Sequence, residues 1–252
     1  MSVKDPKKPG GAPLKVAVAG LGTVGAGVLK VLADNRAEIA ARAGREIVVT
    51  AVSARNREKD RGVSLDGIAW YDDPVAMAKE ADADVVVELI GGSNGPAKAM
   101  VEAALDAKRG VVTANKALLA HHGSELSARA EAAPRPLAFE AAVAGGIPIV
   151  KGLKEGLAAN RIPRVVGILN GTCNYILTTM RESGRDFGDV LADAQALGYA
   201  EADPSFDIDG VDAAHKLSIL TSLAFGTLVD FAGVHVEGIR HVTALDISYA
   251  DE

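Results

Sequence analysis

A glycine-rich turn between a strand pattern and a helix pattern constrains the fold of this chain more than any other feature. Leu14 to Ala19 is a short apolar run typical of a buried parallel strand, and the residues that follow it are Gly20, Leu21, Gly22, Thr23, Val24 and Gly25. The apolar residues at positions 24, 28, 31 and 32 then follow a helical period. G-x-G-x-x-G at such a junction is typical of a dinucleotide-binding turn, in which the glycines permit the turn, the approach of a pyrophosphate and the packing of helix on strand. A plain strand-to-helix turn is the alternative.

Strand-like runs and helical periods alternate through the first part of the chain. Further strands are predicted over Ile47 to Val52, Val85 to Ile90, Val111 to Thr113 and Leu137 to Val143, with helices from Pro96 to near Gly110 and from Ala117 to Ala133. This alternation predicts an α/β fold with a Rossmann-type, doubly wound parallel sheet. We therefore assign residues 14–147 to a dinucleotide-binding domain. Residues 1–13 are basic and rich in Pro and Gly, which predicts a disordered tail.

The pattern changes after Gly145 and Gly146, where we place a domain boundary. Residues 148–252 predict a second domain of the α+β class. Its predicted helices cover residues 147–159, 172–182, 187–197 and 210–225, and its predicted strands cover residues 164–169 and 234–246. The apolar strand material near residues 234–249 suits a sheet shared between two copies, so a homodimer is expected.

Composition limits the classes of protein to which the chain can belong. The 252 residues are 48% hydrophobic and 24% charged, which is ordinary for a globular protein. A net charge of −6 argues against a nucleic-acid surface, and no apolar run reaches the roughly 18 residues that span a bilayer. Cys173 is the single cysteine, which excludes an intramolecular disulfide and favours a cytoplasmic setting.

The end of the second predicted strand bears on the choice of dinucleotide. The dinucleotide fingerprint usually places a carboxylate there to bind the adenosine ribose, but residues 53–57 contain none. They contain Arg55 and Arg57 instead, and a guanidinium group matches a 2′-phosphate. We therefore expect NADP as the cofactor, with NAD as the alternative. If these arginines bind no ligand, they form a solvated basic loop.

An acidic segment from Glu201 to Asp212 leads into a helix that carries Lys216. A calcium loop, a solvated surface turn and a site for a charged substrate all fit such a segment. Calcium is excluded because Lys216 stands where an EF-hand loop needs a bidentate glutamate. Asp212 and Lys216 share one face of a helix that is otherwise apolar, so its first turns are expected at an interior or a cleft. Pattern alone leaves a functional site and a structural ion pair equally open.

Five segments, in order along the chain, together resemble homoserine dehydrogenase. They are Gly20 to Gly25, Thr113 to Lys116 (TANK), Glu140 to Pro148 (EAAVAGGIP), Asn170 to Tyr175 (NGTCNY), and Gly198 to Pro204 (GYAEADP) continuing through Asp207, Gly210, Asp212 and Lys216. The resemblance runs from about residue 14 to the C-terminus. It implies a reaction that interconverts L-aspartate 4-semialdehyde and L-homoserine with NAD(P)H, in a family that is usually dimeric.

The resemblance also implies a role for individual residues. The cofactor would be held by the glycine turn, which consists of Gly20, Leu21, Gly22, Thr23, Val24 and Gly25. Arg55 would bind the 2′-phosphate of that cofactor. Thr113 and Lys116 would lie near the nicotinamide and the substrate. The substrate ammonium group would be bound, or its surroundings oriented, by Glu201 and Asp207, with Asp212 beside them. Lys216 would transfer the proton at the substrate oxygen.

A monovalent cation, usually sodium, is implied at Glu140 and the backbone carbonyls of Val143, Gly145 and Ile147. One carboxylate with carbonyl oxygens suits a hard cation, whereas the pattern without the resemblance favours a simple strand-to-helix hinge. Cys173 lies in a segment that faces the active site in the family, and we interpret it as a small buried side chain, not a nucleophile.

The family's catalytic part continues past Glu252, and many members carry a regulatory ACT domain. The chain is therefore expected to be a C-terminally truncated catalytic part. Three hypotheses follow: an NADP-preferring homoserine dehydrogenase, a non-catalytic nucleotide-binding fragment of one, or a related dehydrogenase acting on another amino-acid aldehyde.

Overall fold

The computed structural model describes residues 10–133 and 135–250 of the chain, and it divides between Gly146 and Ile147 into two compact units. The predicted tail covers residues 1–13, of which residues 1–9 lie outside the described residues. None of the helices in the described ranges is long and apolar enough to cross a membrane.

The first unit contains a six-stranded parallel sheet in the order β3-β2-β1-β4-β5-β6. This order reverses direction between β1 and β4, as in doubly wound dinucleotide-binding sheets, so the predicted α/β class is confirmed. The strands are β1 (Leu14–Ala19), β2 (Ile47–Ser53), β3 (Ala69–Tyr71), β4 (Val85–Glu88), β5 (Gly110–Thr113) and β6 (Leu137–Ala138).

Helices cover both faces of this sheet, because the strands are apolar on both sides. One buried cluster includes Met77, Met100 and Leu118, and a second includes Val18 and Leu29. The helices of the first unit are α1 (Thr23–Asp34), α2 (Arg36–Ala43), α3 (Pro74–Glu80), α4 (Pro96–Asp106), α5 (Lys116–Ala132) and α6 (Glu140–Val143). Strands covered in this way are typical of parallel sheets.

The second unit is helical in its described residues. Its core is a cluster that contains Ile176, Met180, Val190 and Ile208. Its helices are α7 (Ile149–Lys151), a π-helical turn (Gly152–Gly156), α8 (Gly171–Ser183), α9 (Phe187–Ala196), α10 (Ser205–Ile208), α11 (Val211–Phe225) and α12 (Ala244–Ala250).

Two strands predicted for the second unit are wrong. Residues 164–169 form no regular element, and Val166 and Ile168 are 82% and 78% exposed. Residues 234–243 consist of turns and irregular chain, and α12 follows them. The β-branched pattern was present in both segments, but a strand also needs a ladder partner, and none among the described residues pairs with them.

Other boundaries and elements also differ from the sequence prediction. The run from Leu137 to Val143 is a strand for two residues and then turns into α6. The helix expected over residues 147–159 ends at Gly156. Strand β3 and helix α3 were missed, although Asp73 before Pro74 is a strong start signal: the Asp73 side chain accepts from the backbone N–H groups of Val75 and Ala76.

Close packing accounts for two of the three glycines in the turn after β1. Gly20 has a φ of +92°, and a Cβ there would lie 2.3 Å from the carbonyl oxygen of Leu89. A Cβ on Gly25 would lie 1.9 Å from the carbonyl oxygen of Gly20. Gly22 differs, because a Cβ there would meet no protein atom within 4 Å. The fold therefore requires Gly20 and Gly25, whereas the space beside Gly22 is open.

We expect Gly25→Ala to lower the free energy of unfolding by about 3 kcal/mol, because the added methyl group overlaps backbone that cannot move cheaply. Gly22→Ala is the matched control, and it should cost about 1 kcal/mol or less, since it loses the N-cap preference of glycine over alanine and meets no protein atom. Urea denaturation of the three proteins measures both values. Equal losses in the two variants would contradict this account of the turn.

Candidate active site

The glycine turn lies at the carboxyl ends of the central strands, where the strand order reverses. The Gly20 N–H donates to the carbonyl of Ser53 (2.9 Å), and the Leu89 N–H donates to the carbonyl of Ala19 (2.8 Å), so the ends of β1, β2 and β4 are joined. Helix α1 then begins without a side-chain cap and without an acidic residue in its first turn. Free N–H groups and the positive end of the helix dipole favour an anion here.

The other residues predicted to hold a cofactor at this turn differ in exposure. Leu21 is buried, whereas Thr23 and Val24 are exposed at the first turn of α1. With the open space beside Gly22, this arrangement leaves backbone at the start of α1 accessible to a phosphate group.

A buried carboxylate that the sequence reasoning missed holds the neighbouring loops. Glu88, at the end of β4, is fully buried, and its Oε1 accepts from the N–H groups of Ile90 (2.8 Å) and Gly91 (3.0 Å). Its Oε2 accepts from the hydroxyl of Thr113 (2.5 Å) at the end of β5. These three bonds satisfy the carboxylate and fix the loop after β4 against the end of β5.

Helix α5 begins beside this network. Asn115 caps it, since Oδ1 accepts from the Leu118 N–H (3.0 Å), and Nδ2 donates to the carbonyl of Gly92 (2.8 Å). The Asn115 N–H donates to the hydroxyl of the buried Thr113 (3.0 Å). Lys116 is therefore held, partly buried, at the first residue of α5 and at the edge of the sheet where open α/β proteins bind ligands.

The loop after β2 carries Arg55 and Arg57, both exposed. Arg61, which the sequence reasoning did not single out, braces this loop: its Nε donates to the carbonyl of Leu21 (3.1 Å). The guanidinium groups of Arg57 and Arg61 lie 5.9 and 5.6 Å from the ring centre of Trp70, within cation–π range. The basic loop is thus attached to the glycine turn.

In the second unit, Lys216 and Asp212 form a buried ion pair on α11. The Nζ of Lys216 lies 2.7 Å from Oδ2 of Asp212, and the two side chains are 17% and 5% exposed. The same Nζ donates to the carbonyl of Leu169 (2.7 Å). An exposed surface pair is therefore excluded, and the helix face that carries the pair is an interior one, as predicted from the apolar pattern.

Asn170 joins this pair to a second carboxylate. Its Nδ2 donates to Oδ1 of Asp207 (2.8 Å) and to Oδ2 of Asp212 (2.9 Å). The Thr172 hydroxyl lies within hydrogen-bonding distance of the other oxygen of Asp207 (3.1 Å) and of the carbonyl oxygen of Tyr199 (2.9 Å), so these two acceptors share its one proton. The structure thus brings Asp207, Asp212 and Lys216 together. It adds Asn170 and Thr172, whose place beside these residues no local pattern predicted beyond their motif.

The rest of the acidic segment is used differently. Asp209 is paired with the Arg240 guanidinium, which holds the pKa of that carboxyl below its usual value. Asp203 accepts from the hydroxyl and N–H of Ser205, and these bonds lower its pKa as well. Glu201 is exposed, and it enters the described contacts through its carbonyl, which accepts from Gln195 (3.0 Å). The segment is therefore several separate structures and not one acidic patch.

Comparison with known proteins identifies the family. The family model described as Homoserine dehydrogenase matches residues 148–252, and the one described as Homoserine dehydrogenase, NAD binding domain, matches residues 20–140. The chain belongs to the homoserine dehydrogenase family. A curated homoserine dehydrogenase of Neisseria gonorrhoeae is 51% identical over 240 residues, which are 95% of this chain and 55% of that protein.

Solved structures of homoserine dehydrogenases share the fold. The enzyme from Thiobacillus denitrificans is 50% identical with a TM-score of 0.88, over 95% of this chain and 55% of that one. A hyperthermophilic archaeal homoserine dehydrogenase in complex with NADPH is 26% identical with a TM-score of 0.79, over 92% of this chain and 76% of that one. The chain spans about half the length of the curated relatives it matches.

Cys173 does not behave as a nucleophile in this member of the homoserine dehydrogenase family. Its thiol donates to the carbonyl of Asp207 (3.2 Å), and the side chain is partly buried. Burial, followed by the negative charges of Asp207 and Asp212, raises the pKa of the thiol to about 11. It is therefore protonated near neutral pH, which agrees with the interpretation from sequence.

The residues that family resemblance assigns to a cation lie on both sides of the boundary between the units. Glu140 and Val143 are the ends of α6, Gly145 follows in a turn, and Ile147 begins the second unit. The carbonyl of Ile147 accepts from the Ile149 N–H (2.8 Å). Among the described residues no group of three or more His, Cys, Asp or Glu could hold a metal ion, so carbonyl oxygens would have to supply most of the ligands.

Proposed function

We propose that this chain carries the catalytic machinery of an NADP-preferring homoserine dehydrogenase, which interconverts L-aspartate 4-semialdehyde and L-homoserine. The observation that carries the proposal is the partly buried cluster of Lys216, Asp212, Asp207 and Asn170 in a chain of this family. A lysine that is sequestered from water, held by a carboxylate and a carbonyl, is suited to proton transfer.

Proton transfer is the role proposed for Lys216. NADPH, when bound, supplies the hydride that reduces the aldehyde carbon. The Lys216 ammonium would donate a proton to the aldehyde oxygen as the alcohol forms, and its amine would accept that proton in the reverse direction. Asp212 and the carbonyl of Leu169 fix the direction of Nζ, so that the proton is presented from one position.

Substrate binding is the role proposed for the carboxylates. Asp207 and Asp212 are two carboxylates joined through the amide of Asn170, and their negative charges suit a substrate ammonium group. Glu201 is proposed as a further contact from its exposed position next to this cluster in the chain. Lys116 is proposed as a further catalytic residue, in keeping with the family resemblance.

Cofactor binding is proposed for the first unit. The open start of α1, with Gly20 to Gly25, would hold the pyrophosphate, and Thr113 with Lys116 would lie near the nicotinamide. Arg55 on the basic loop would meet the 2′-phosphate, which supports NADP as the preferred cofactor over NAD. The archaeal relative in complex with NADPH is consistent with that preference.

Two further properties are proposed on narrower grounds. A homodimer is supported by the exposed apolar side chains of the second unit, among them Val166, Ile168 and Leu228 (78% exposed). Light scattering of the purified protein tests this proposal, and the mass of a monomer would contradict it. A cytoplasmic location rests on the single cysteine, and cell fractionation tests it.

We expect Lys216→Ala to lower kcat for L-homoserine oxidation by about 10²- to 10⁴-fold, because a positioned proton donor contributes that much. Lys151→Ala is the matched control, since Lys151 forms an exposed i,i+4 pair with Glu155 (3.7 Å), and its kcat should not change. NADPH absorbance follows both reactions. Equal rates in the Lys216 variant and the parent protein would show that Lys216 does not transfer the proton. Tight NADPH binding without turnover in the parent protein would favour a non-catalytic nucleotide-binding protein.

Arg55→Ala should raise the KM for NADPH about tenfold, the size expected for losing one charge-assisted hydrogen bond to a phosphate. The KM for NADH should stay the same, because NADH lacks the 2′-phosphate. Arg45→Ala, which removes another exposed arginine of the first unit, serves as the control. An equal rise in the KM values for NADPH and NADH would show that Arg55 does not bind the 2′-phosphate.

A sodium site at Glu140, Val143, Gly145 and Ile147 is proposed from the donor set, a carboxylate with carbonyl oxygens, which fits a hard cation. Replacing sodium by tetramethylammonium at constant ionic strength should then lower the melting temperature, because a bound ion stabilises the folded state. Glu140→Gln should abolish that difference. The same melting temperature in both salts would count against the site.

A further inference from the structure

Asn170 uses its whole side-chain amide in the cluster. A side-chain amide offers two N–H donors and one carbonyl acceptor. The two donors go to different carboxylates, Asp207 (2.8 Å) and Asp212 (2.9 Å), and Oδ1 accepts from the Cys173 N–H (2.8 Å) as the N-cap of α8. Carboxylates accept and a backbone N–H donates, so a single orientation of the amide suits all three partners.

The two carboxylates need such a donor. Like charges brought near one another disfavour each other's ionised form, and a hydrogen bond to the charged form offsets this. Lys216 contacts Asp212, and Thr172 contacts Asp207, but the amide of Asn170 reaches both. It therefore sets the spacing between the two carboxylates as well as stabilising their charges.

Asn170 also connects the carboxylates to the proposed proton donor. The carbonyl of Leu169, which belongs to the preceding peptide group, accepts from Lys216 Nζ (2.7 Å). The backbone before Asn170 thus holds the lysine, while its side chain holds the carboxylates. The N-cap bond in turn fixes this residue to the start of α8.

We infer that Asn170 is a positioning residue of the active site: its amide holds Asp207 and Asp212 in the arrangement that binds the substrate ammonium group. The inference deepens the proposed function and rests on it. Asn170 acts through the two carboxylates, so its loss should weaken the binding of L-homoserine while the binding of the dinucleotide stays unchanged.

The variant Asn170→Ser tests the positioning of the two carboxylates without removing the N-cap of α8. Serine is also a good N-cap, so α8 keeps its cap, but its short hydroxyl cannot donate to both carboxylates. Asn170→Asp is the second variant, which keeps both the size and the cap acceptor and replaces the two donors by a third carboxylate. Asp73→Ala is the matched control for cap loss, because Asp73 caps α3 in the first unit through Val75 (2.9 Å) and Ala76 (3.3 Å).

The purified protein is assayed for the KM of L-homoserine, the KM of NADP⁺, kcat and melting temperature, with calorimetric titration of L-homoserine. We expect the KM of L-homoserine to rise about tenfold or more in both Asn170→Ser and Asn170→Asp, because both lose the two amide donors, with the KM of NADP⁺ unchanged. Asp73→Ala should lower the melting temperature and leave both KM values unchanged.

The possible results separate the inference from the proposed function. An unchanged KM and affinity for L-homoserine in both Asn170 variants, with losses that only follow the melting temperature, would overturn the inference and leave the proposed function intact. A parent protein that neither oxidises nor binds L-homoserine would overturn the proposed function, and the inference would fall with it.

Discussion

The buried ion pair between Lys216 and Asp212 is the constraint on which the second unit depends. Taking two charges out of water is expensive, and their mutual attraction offsets that cost only when further hydrogen bonds satisfy the remaining atoms. The carbonyl of Leu169 and the amide of Asn170 supply those bonds. A segment without regular structure, residues 161–170, is therefore fixed at its end by the chemistry of the pair and not by a sheet.

Local signals predicted most strands of the first unit and several of its helices, and nonlocal pairing limited the prediction of the second unit. The glycine turn, the alternation of strands with helices and the cap residues each lie within a few positions of one another, so sequence shows them directly. Residues 164–169 carry a strand pattern of the same quality, yet they form no strand, because strand formation depends on a partner that the pattern does not contain.

The same distinction applies to the site. The i,i+4 spacing of Asp212 and Lys216 predicted their contact, whereas Asn170 lies 42 residues before Asp212 in the chain. Glu88 contacts Thr113 across 25 residues, and no local pattern marks it as a buried acid. Family resemblance pointed to the motifs that contain these residues, but only the fold shows that one asparagine joins two of them.

Each unit contains an asparagine that caps a helix and also donates hydrogen bonds from its amide nitrogen. Asn115 caps α5 and donates to the loop after β4, whereas Asn170 caps α8 and donates to carboxylates. In the first unit the nearby acid, Glu88, is fully buried and is satisfied by two backbone N–H groups and a hydroxyl, so it has no remaining need of a ligand. In the second unit Asp207 is only partly buried. A carboxylate that solvent can reach attracts a cation, whereas a carboxylate that is saturated by nearby hydrogen bonds stabilises a loop. This difference supports the proposal of substrate binding at the cluster that contains Asp207, and it gives Glu88 a structural role.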